Sequence, residues 1–146
     1  GWRLEQAAAL GATETVMTDD QQERRLRALA PLGYDIVVDA TGLTEVLEQS
    51  LAYARPRGKV WVFGVCPPGE RATFVPYDVF RKDLSILGSF AVNRTFQESI
   101  ALIQSGKIQV KPLISHSLPL GRFVQGLDLA ARASQRMKVQ FTISEG

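Results

Sequence analysis

The sequence is poor in the residues that build disulfide frameworks and metal centres. Its 146 residues include one cysteine, Cys66, and one histidine, His116. A single cysteine excludes an internal disulfide and any metal site that is built on several cysteines. Carboxylates would have to supply the remaining ligands of any metal site, so we predict that this chain binds no metal. The low cysteine content is typical of a cytoplasmic protein, which we take as the expected location.

Long apolar runs and an excess of one charge are also absent. No apolar run approaches the roughly 20 residues that a membrane-spanning helix needs. The formal net charge is +2, and the basic residues are scattered, whereas nucleic-acid-binding domains concentrate them on one face. We therefore predict neither a membrane nor a nucleic acid as a partner.

The glycine-rich motifs that bind phosphates are missing as well. No G-x-G-x-x-G occurs anywhere in the sequence. Gly64 and Gly69 have the spacing of the first two glycines in G-x-x-x-x-G-K-[ST], but Glu70 and Arg71 follow them. A phosphate-binding loop requires a lysine and a hydroxyl at those two positions, so this motif is excluded.

Three isolated side chains could carry chemistry. His116 lies between Pro112 and Pro119, with no nearby carboxylate to orient it, so a structural or surface role is favoured over a general base. Cys66 follows a predicted strand without a local Cys-His signature, which favours a plain loop cysteine. Asp39 has two readings of equal weight, a catalytic carboxylate or a group that stabilises the amides of the next helix.

Residues 34–64 contain the clearest structural signal in the sequence. They read YDIVVDATG, then a helical pattern that a Pro/Gly break ends, then KVWVFG. This is the order of a parallel strand–helix–strand unit. Both strands are apolar on consecutive residues, which predicts burial on both faces. Each strand ends in small residues, and the carboxyl ends of such strands are where doubly wound folds bind ligands.

The rest of the chain continues the alternation of strands and helices. Thr18 and Gln21 fit a capping box that would open one helix. Further strands are predicted at residues 14–17, 72–75, 84–87, 108–114 and 139–143. About six strands alternate with about five helices, which predicts an α/β fold with a mainly parallel sheet.

Five segments together resemble the medium-chain dehydrogenase/reductase family, most of all its zinc-dependent alcohol and polyol branch with sorbitol and threonine dehydrogenases. They read RLEQAAALGA, DIVVDATG, RPRGKVWVFGV, FRKDLSILGSF and KPLISHSLPL, in order along the whole chain. The resemblance implies that residues 1–146 are a partial nucleotide-binding domain with the family's C-terminal strand and helices. It also implies an incomplete doubly wound, Rossmann-like sheet, whose first two strands and glycine-rich loop would precede Gly1.

The resemblance further implies an NAD(P) site and positions that would line it. Arg3 corresponds to a family arginine beside the adenosine ribose. The segments that would face the nicotinamide half are Thr41, Gly42, Phe63, Gly64, Val65, Ser89, Phe90 and Ala91. Small residues and open backbone there would let a flat ring lie close to the chain. Sorbitol-type members often have arginine at the position of Ala91, so alanine there speaks against sorbitol itself. His116 matches a histidine of the family that is not a zinc ligand.

The resemblance implies that the full-length parent oxidises a small alcohol or polyol. It also implies that the zinc ion lies on the parent's other domain and not on this chain. The isolated chain is expected to be inactive. Residues 72–75 resemble the edge through which family members form homo-oligomers. The strand at residues 14–17 would lose its neighbours, so it should pair beside residues 34–39, detach, or pair with another chain. The alternatives are a fragment of a zinc-free NADPH quinone-type reductase and a non-catalytic α/β binding or interaction module.

Overall fold

The computed structural model describes residues 1–91 and 93–143. Their backbone forms six α-helices and five strands. The helices are α1 (Trp2–Ala9), α2 (Gln22–Leu29), α3 (Thr44–Tyr53), α4 (Pro76–Lys82), α5 (Phe96–Gln104) and α6 (Phe123–Arg132). The strands are β1 (Tyr34–Asp39), β2 (Ala54–Val62), β3 (Ser85–Gly88), β4 (Ile114–Pro119) and β5 (Lys138–Thr142). Two 3₁₀ turns, Lys111–Leu113 and Leu120–Arg122, flank β4.

The chain divides into two compact units. One comprises Thr18–Asn93, and the other combines Gly1–Met17 with the segment from Arg94 onward. The first unit holds a three-stranded sheet in the order β1-β2-β3, and both of its strand pairs are parallel. The strand–helix–strand unit predicted at residues 34–64 is present as β1, α3 and β2.

The core of the Thr18–Asn93 unit lies on one face of its sheet. Val60 of β2 is fully buried, together with Leu51 and Ala54. Side chains from α3 and α4, including Leu47 and Val79, pack against this cluster. Both helices therefore meet the same face, which the apolar residues of the strands reach at every second position.

The prediction that both faces of the central strands are buried is wrong. Ile36, Val38, Trp61 and Phe63 have exposed fractions of 58%, 46%, 39% and 57%. The ring centroids of Trp61 and Phe63 lie 5.8 Å apart, in an edge-to-face arrangement. A consecutive apolar run predicts burial on two faces only when helices cover both sides, and α3 and α4 cover one.

The second unit is built on a parallel pair of strands, β4 and β5, which α6 connects. Gly126 of α6 lies so close to β5 that a Cβ atom there would overlap the ring of Phe141. Phe123, one turn earlier, places its ring centroid 5.2 Å from that of Phe141. The final strand predicted at residues 139–143 is thus confirmed as β5, and α6 packs against it.

Two predicted strands are absent from the described chain. Residues 14–17 form no regular secondary structure, and the strand that pairs with β1 is β2. Residues 72–75 also form no strand. The backbone amide of Thr73 donates instead to the Glu48 carboxylate at 2.6 Å. A short apolar run becomes a strand only where a neighbouring strand takes up its hydrogen bonds, and neither segment has one among the described residues.

Two further predictions shift along the chain. Residues 108–114 form a 3₁₀ turn over Lys111–Leu113, and the strand is β4, displaced toward the C-terminus. Proline lacks the amide donor that a ladder needs, so Pro112 moves the start of the strand beyond itself. The capping box predicted at Thr18 is wrong: the Asp19 carboxylate accepts the Gln21 amide at 2.9 Å, and α2 begins at Gln22.

None of the described helices has the length and apolar character that crossing a membrane requires.

Candidate nicotinamide-facing site

Three loop segments meet at the carboxyl edge of the three-stranded sheet. Residues 41–42 follow β1, residues 63–65 follow β2 and residues 89–91 follow β3. Because β1, β2 and β3 are parallel neighbours, all three segments leave the sheet at the same edge. The Ser89 amide still donates to the Val62 carbonyl at 3.4 Å, which ties the third segment to the second. The predicted positions from Thr41 to Ala91 are thus brought to one edge of one sheet.

The first two segments touch through their glycines. A Cβ atom on Gly64 would overlap the amide nitrogen of Gly42 and lie 2.8 Å from that of Thr41. A Cβ atom on Gly42 would overlap the carbonyl of Val65, and Gly42 has a φ of +74°. Only glycine permits this close approach at both positions. The two loops therefore pack main chain against main chain, with Gly42 buried and Gly64 half-buried between them.

Asp39, the last residue of β1, joins the same two segments. Its Oδ1 accepts the Thr41 amide at 2.8 Å and the Thr41 hydroxyl at 2.6 Å. The Thr41 Oγ1 in turn accepts the Leu43 amide at 3.2 Å, just before α3. The Asp39 main-chain carbonyl accepts the amides of Phe63 at 3.0 Å and Gly64 at 2.6 Å.

Of the two roles that the sequence left open for Asp39, the contacts match the second in kind. Asp39 binds the loop that leads into α3, and not a group in solvent, since its exposed fraction is 0%. The sequence marked the acidic residue and the strand end. It gave no signal for the simultaneous bonds to two loops, because those depend on the β1–β2 register.

Large apolar side chains stand exposed around this edge. Val65 and Phe90 have exposed fractions of 89% and 92%, and Phe63 is also exposed. Single exposed apolar residues are common on protein surfaces. Here they follow neighbouring strands, so the edge presents an apolar surface, which suits a flat, partly apolar ring more than a hydrated ion.

Arg3 belongs to the other compact unit. It lies in α1, where its Nη2 donates to the Arg136 carbonyl at 3.1 Å. Its guanidinium is thus partly engaged by the backbone of its own unit, and Arg3 is exposed. The contact with Arg136 was not foreseen, because the two residues are far apart in the sequence.

The two isolated residues weighed as nucleophile and base lie in separate surroundings. Cys66 is a free, half-buried cysteine in the loop after β2. His116 is half-buried on β4, with its Nδ1 3.0 Å from the Ser115 hydroxyl. Within residues 1–91 and 93–143, no group of three or more His, Cys, Asp or Glu side chains is placed to hold a metal ion.

A groove of about 730 Å³ runs between α2 and α3, and Thr41 is among its lining residues. Asp19 at its rim accepts the Arg25 guanidinium at 2.8 Å, and this hydrogen bond lowers the pKa of the Asp19 carboxyl. Gln49 and Tyr53 line the α3 side. The groove borders the Thr41 loop but was not predicted, because its residues are distant in the sequence.

Comparison with known proteins gives this edge a context. The family described as zinc-binding dehydrogenase matches residues 1–105, well over half of the chain. The chain belongs to the zinc-binding dehydrogenase family. The resemblance inferred from the five sequence segments is thereby confirmed.

Characterised relatives of this dehydrogenase chain include two polyol dehydrogenases. D-altritol 5-dehydrogenase of Agrobacterium fabrum is 30% identical over 139 residues, which cover 95% of this chain and 40% of the relative. D-arabinitol dehydrogenase 1 of Uromyces fabae is 28% identical over 146 residues, with coverages of 96% and 42%. The chain therefore spans about two fifths of the length of these relatives.

A solved structure confirms the fold. A zinc-binding dehydrogenase from Sinorhizobium meliloti 1021, bound to NADP, superposes on this chain with a TM-score of 0.83 at 28% identity. The match covers 95% of this chain and 42% of that one. The Rossmann-like α/β class predicted from the sequence is thus correct.

Proposed function

We propose that this chain is the nicotinamide-positioning part of an NAD(P)-dependent, zinc-type alcohol or polyol dehydrogenase. The proposal depends on one observation: three loop segments follow three adjacent parallel strands and leave the sheet at one edge. Two of these segments pack directly against each other at Gly42 and Gly64, and the exposed side chains of Val65 and Phe90 lie at the same edge. Carboxyl edges of parallel sheets are the usual ligand sites of this architecture.

The residues present fit one half of the cofactor. The backbone at Gly42 and Gly64, with Phe63, Val65 and Phe90 around it, would hold the nicotinamide ring. The remaining proposed contacts on the same edge are Thr41, Ser89 and Ala91, and the assignment of Arg3 to the adenosine ribose stays a prediction from the family resemblance. No G-x-G-x-x-G occurs in the 146 residues, so we place the phosphate-binding loop outside them.

The chemistry belongs to groups that this chain would position. When bound, oxidised NAD(P) would supply the hydride acceptor for a secondary alcohol, and a zinc ion on the rest of the protein would supply the Lewis acid that eases loss of the hydroxyl proton to solvent. The part of the chain assigned here is orientation: its packed loops and the apolar side chains beside them would fix the plane of the ring and exclude water from one side of it. We assign the zinc ligands to a part of the protein outside this chain, and we expect the isolated chain to be inactive.

The substrate class follows from the relatives. Two of them are named for D-altritol and D-arabinitol, both polyols. We therefore propose a small alcohol or polyol as the substrate, and either NAD or NADP as the cofactor. The cytoplasmic location predicted from the lone cysteine stays a prediction.

Self-association is proposed through residues 72–75. This segment is not a strand within the single chain. Phe74 and Val75 are nevertheless exposed, and an exposed apolar segment outside the sheet can pair with a second copy. The oligomeric state measured by light scattering checks this, and a monomer would contradict it.

A cofactor titration of the longer protein that carries this chain tests the proposal. NADH and NADPH fluorescence titrations, followed by rates with D-altritol, D-arabinitol and other polyols, should show binding of one cofactor and oxidation of at least one alcohol. The 146-residue chain alone should show no turnover. NADPH-dependent quinone reduction without zinc would favour the reductase alternative. Failure to bind either cofactor would point to the non-catalytic module.

A further inference from the structure

We infer that Asp39 is a positioning residue, which sets the spacing of two of the three loops at the nicotinamide-facing edge. The inference rests on the proposed function. Asp39 is fully buried and does not reach solvent, so its influence would act through the loops that it binds. Its own assignment depends on contacts that the proposed function did not use.

Asp39 holds the two loops by different parts of one residue. The carboxylate Oδ1 accepts both the amide and the hydroxyl of Thr41. The main-chain carbonyl accepts the amides of Phe63 and Gly64. A movement of the Asp39 side chain would therefore move the Thr41–Gly42 loop relative to the Phe63–Gly64 loop, which the main chain keeps in place.

The glycine contact makes this spacing sensitive. Gly42 and Gly64 lie so close that a single added Cβ atom would overlap the facing backbone. The Thr41 hydroxyl donates to the Asp39 carboxylate and accepts the Leu43 amide, so two hydrogen bonds fix its position. Loss of the Asp39 carboxylate would leave this loop with only the bond to Leu43 and the glycine contact.

The unfavourable burial of the Asp39 carboxylate argues against a role in stability alone. The residue is fully buried, and its Oδ2 has no hydrogen-bond partner among the described residues. A buried carboxylate oxygen without a partner lowers stability. Groups retained at such a cost concentrate at functional sites, where the arrangement they impose matters more than their contribution to folding.

The decisive variant is Asp39→Ala in the longer protein, with Asp35→Ala as its matched control. Asp35 lies at the other end of the same strand, where its exposed carboxylate binds Arg55. Two readouts are needed. Amide hydrogen exchange of residues 40–43 without cofactor reports the loop itself, and cofactor dissociation constants with kcat report its effect on the reaction.

Asp39→Ala should raise exchange in residues 40–43 and lower kcat about 100-fold, as a small misplacement of reacting groups does. The cofactor dissociation constant should change less than kcat, because the adenosine half binds elsewhere. Asp39→Asn, whose amide oxygen can accept the same two Thr41 bonds, should recover most of kcat. Asp35→Ala should leave exchange and kcat as in the unsubstituted protein.

The inference is overturned if Asp39→Ala lowers the yield of folded protein but the folded fraction keeps the kcat and the exchange pattern of the unsubstituted protein. If Asp39→Ala does not fold, Thr41→Val replaces it, since valine keeps the shape and removes the hydroxyl. A lower kcat with faster exchange then supports the inference, and unchanged values overturn it. An unsubstituted protein that binds no cofactor defeats the proposed function and this inference with it. An active one that tolerates Asp39→Ala defeats the inference alone.

Discussion

The two ends of the three-stranded sheet are held together in different ways. At the amino end, charged side chains make the contacts: the Arg55 Nε binds Asp35 at 2.7 Å, and the Lys82 Nζ binds three carbonyls of residues 51, 52 and 54 at 3.0–3.2 Å. At the carboxyl end, the backbone and two glycines make them, with Asp39 as the buried link. The amino end is thus held by charged side chains, whereas the carboxyl end is held mainly by main-chain contacts.

This difference has a chemical consequence. Long charged side chains at the amino end satisfy the last carbonyls of α3 and leave little free hydrogen-bonding capacity. At the carboxyl end, the absence of side chains on Gly42 and Gly64 lets two loops pack main chain against main chain. Val65 and Phe90 remain exposed there, which is why we propose this end, and not the amino end, for ligand contact. Four substitutions or titrations test this division.

Gly64→Ala should have the largest effect on stability. The new Cβ atom would overlap backbone atoms of Gly42 and Thr41, which cannot move without breaking the Asp39 contacts. We expect the free energy of unfolding in urea to fall by about 3 kcal/mol. Gly88→Ala, at the end of β3, is the matched control, since nothing lies within 4 Å of its Cβ position. It should change stability by less than about 1 kcal/mol, and equal losses in both variants would contradict the account.

Lys82→Met comes next and probes the amino end. Methionine keeps the length of the side chain but leaves the carbonyls of Leu51, Ala52 and Ala54 without their donor. Urea unfolding should show a loss of about 2 kcal/mol, because the part-buried carbonyls of Leu51 and Ala54 would lose their donor. Lys107→Met, at an exposed turn, should stay within about 0.5 kcal/mol of the unsubstituted protein. An unchanged stability in Lys82→Met would show that the amino end does not depend on this contact.

The same lysine predicts a pH dependence of stability. Burial, with a smaller effect from Arg81, lowers the pKa of Lys82 below its ordinary value of 10.5. Between the lowered pKa and 10.5, the unfolded chain binds more protons than the folded one, so this group makes stability rise with pH. The stability advantage over Lys82→Met should therefore grow as the pH approaches 10.5. Urea unfolding of both proteins across this range measures it, and a constant difference would contradict the assigned shift.

Asp35→Asn should have the smallest effect. Asp35 and Arg55 form an ion pair at the surface, with side-chain exposed fractions of 76% and 43%. Exposed pairs contribute little, so the loss should be below about 1 kcal/mol and should shrink at high salt. A loss as large as that of Lys82→Met would make the surface ion pair the main link at the amino end.

Much of this architecture could be predicted from local patterns. The apolar runs of β1 and β2, the helical pattern of α3 between them and the alternation in β5 were visible without any structure. Such patterns depend on residues that are close in the sequence. The order of elements around residues 34–64 was therefore within reach.

What failed depends on neighbours that a local pattern does not contain. Residues 14–17 and 72–75 have the composition of strands, but a strand also needs a partner ladder. The burial of Ile36 and Trp61 was overestimated because the number of covered faces is a property of the whole packing. The strand predicted at residues 108–114 begins later, as β4, because Pro112 lacks the amide donor that a ladder needs. The proline was visible in the sequence, but the prediction did not move the start of the strand past it.

The position of the candidate site could be predicted from the sequence, but the contacts that hold its loops together could not. Family resemblance pointed to the loops after β1, β2 and β3, and the parallel topology brings them to one edge. The bonds from Asp39 to both loops and the contact of Gly42 with Gly64 depend on the register of β1 against β2. Register is decided by long-range packing, which no spacing of residues within one segment expresses.

Amide hydrogen exchange of the longer protein with and without saturating NADH or NADPH tests the central claim most directly. If the carboxyl edge holds the nicotinamide ring, peptides covering residues 41–43, 63–66 and 89–91 should all become protected on binding. The amino-end peptides around Asp35 and Lys82 should keep their exchange rates. Tight cofactor binding without protection of these three segments would contradict the account.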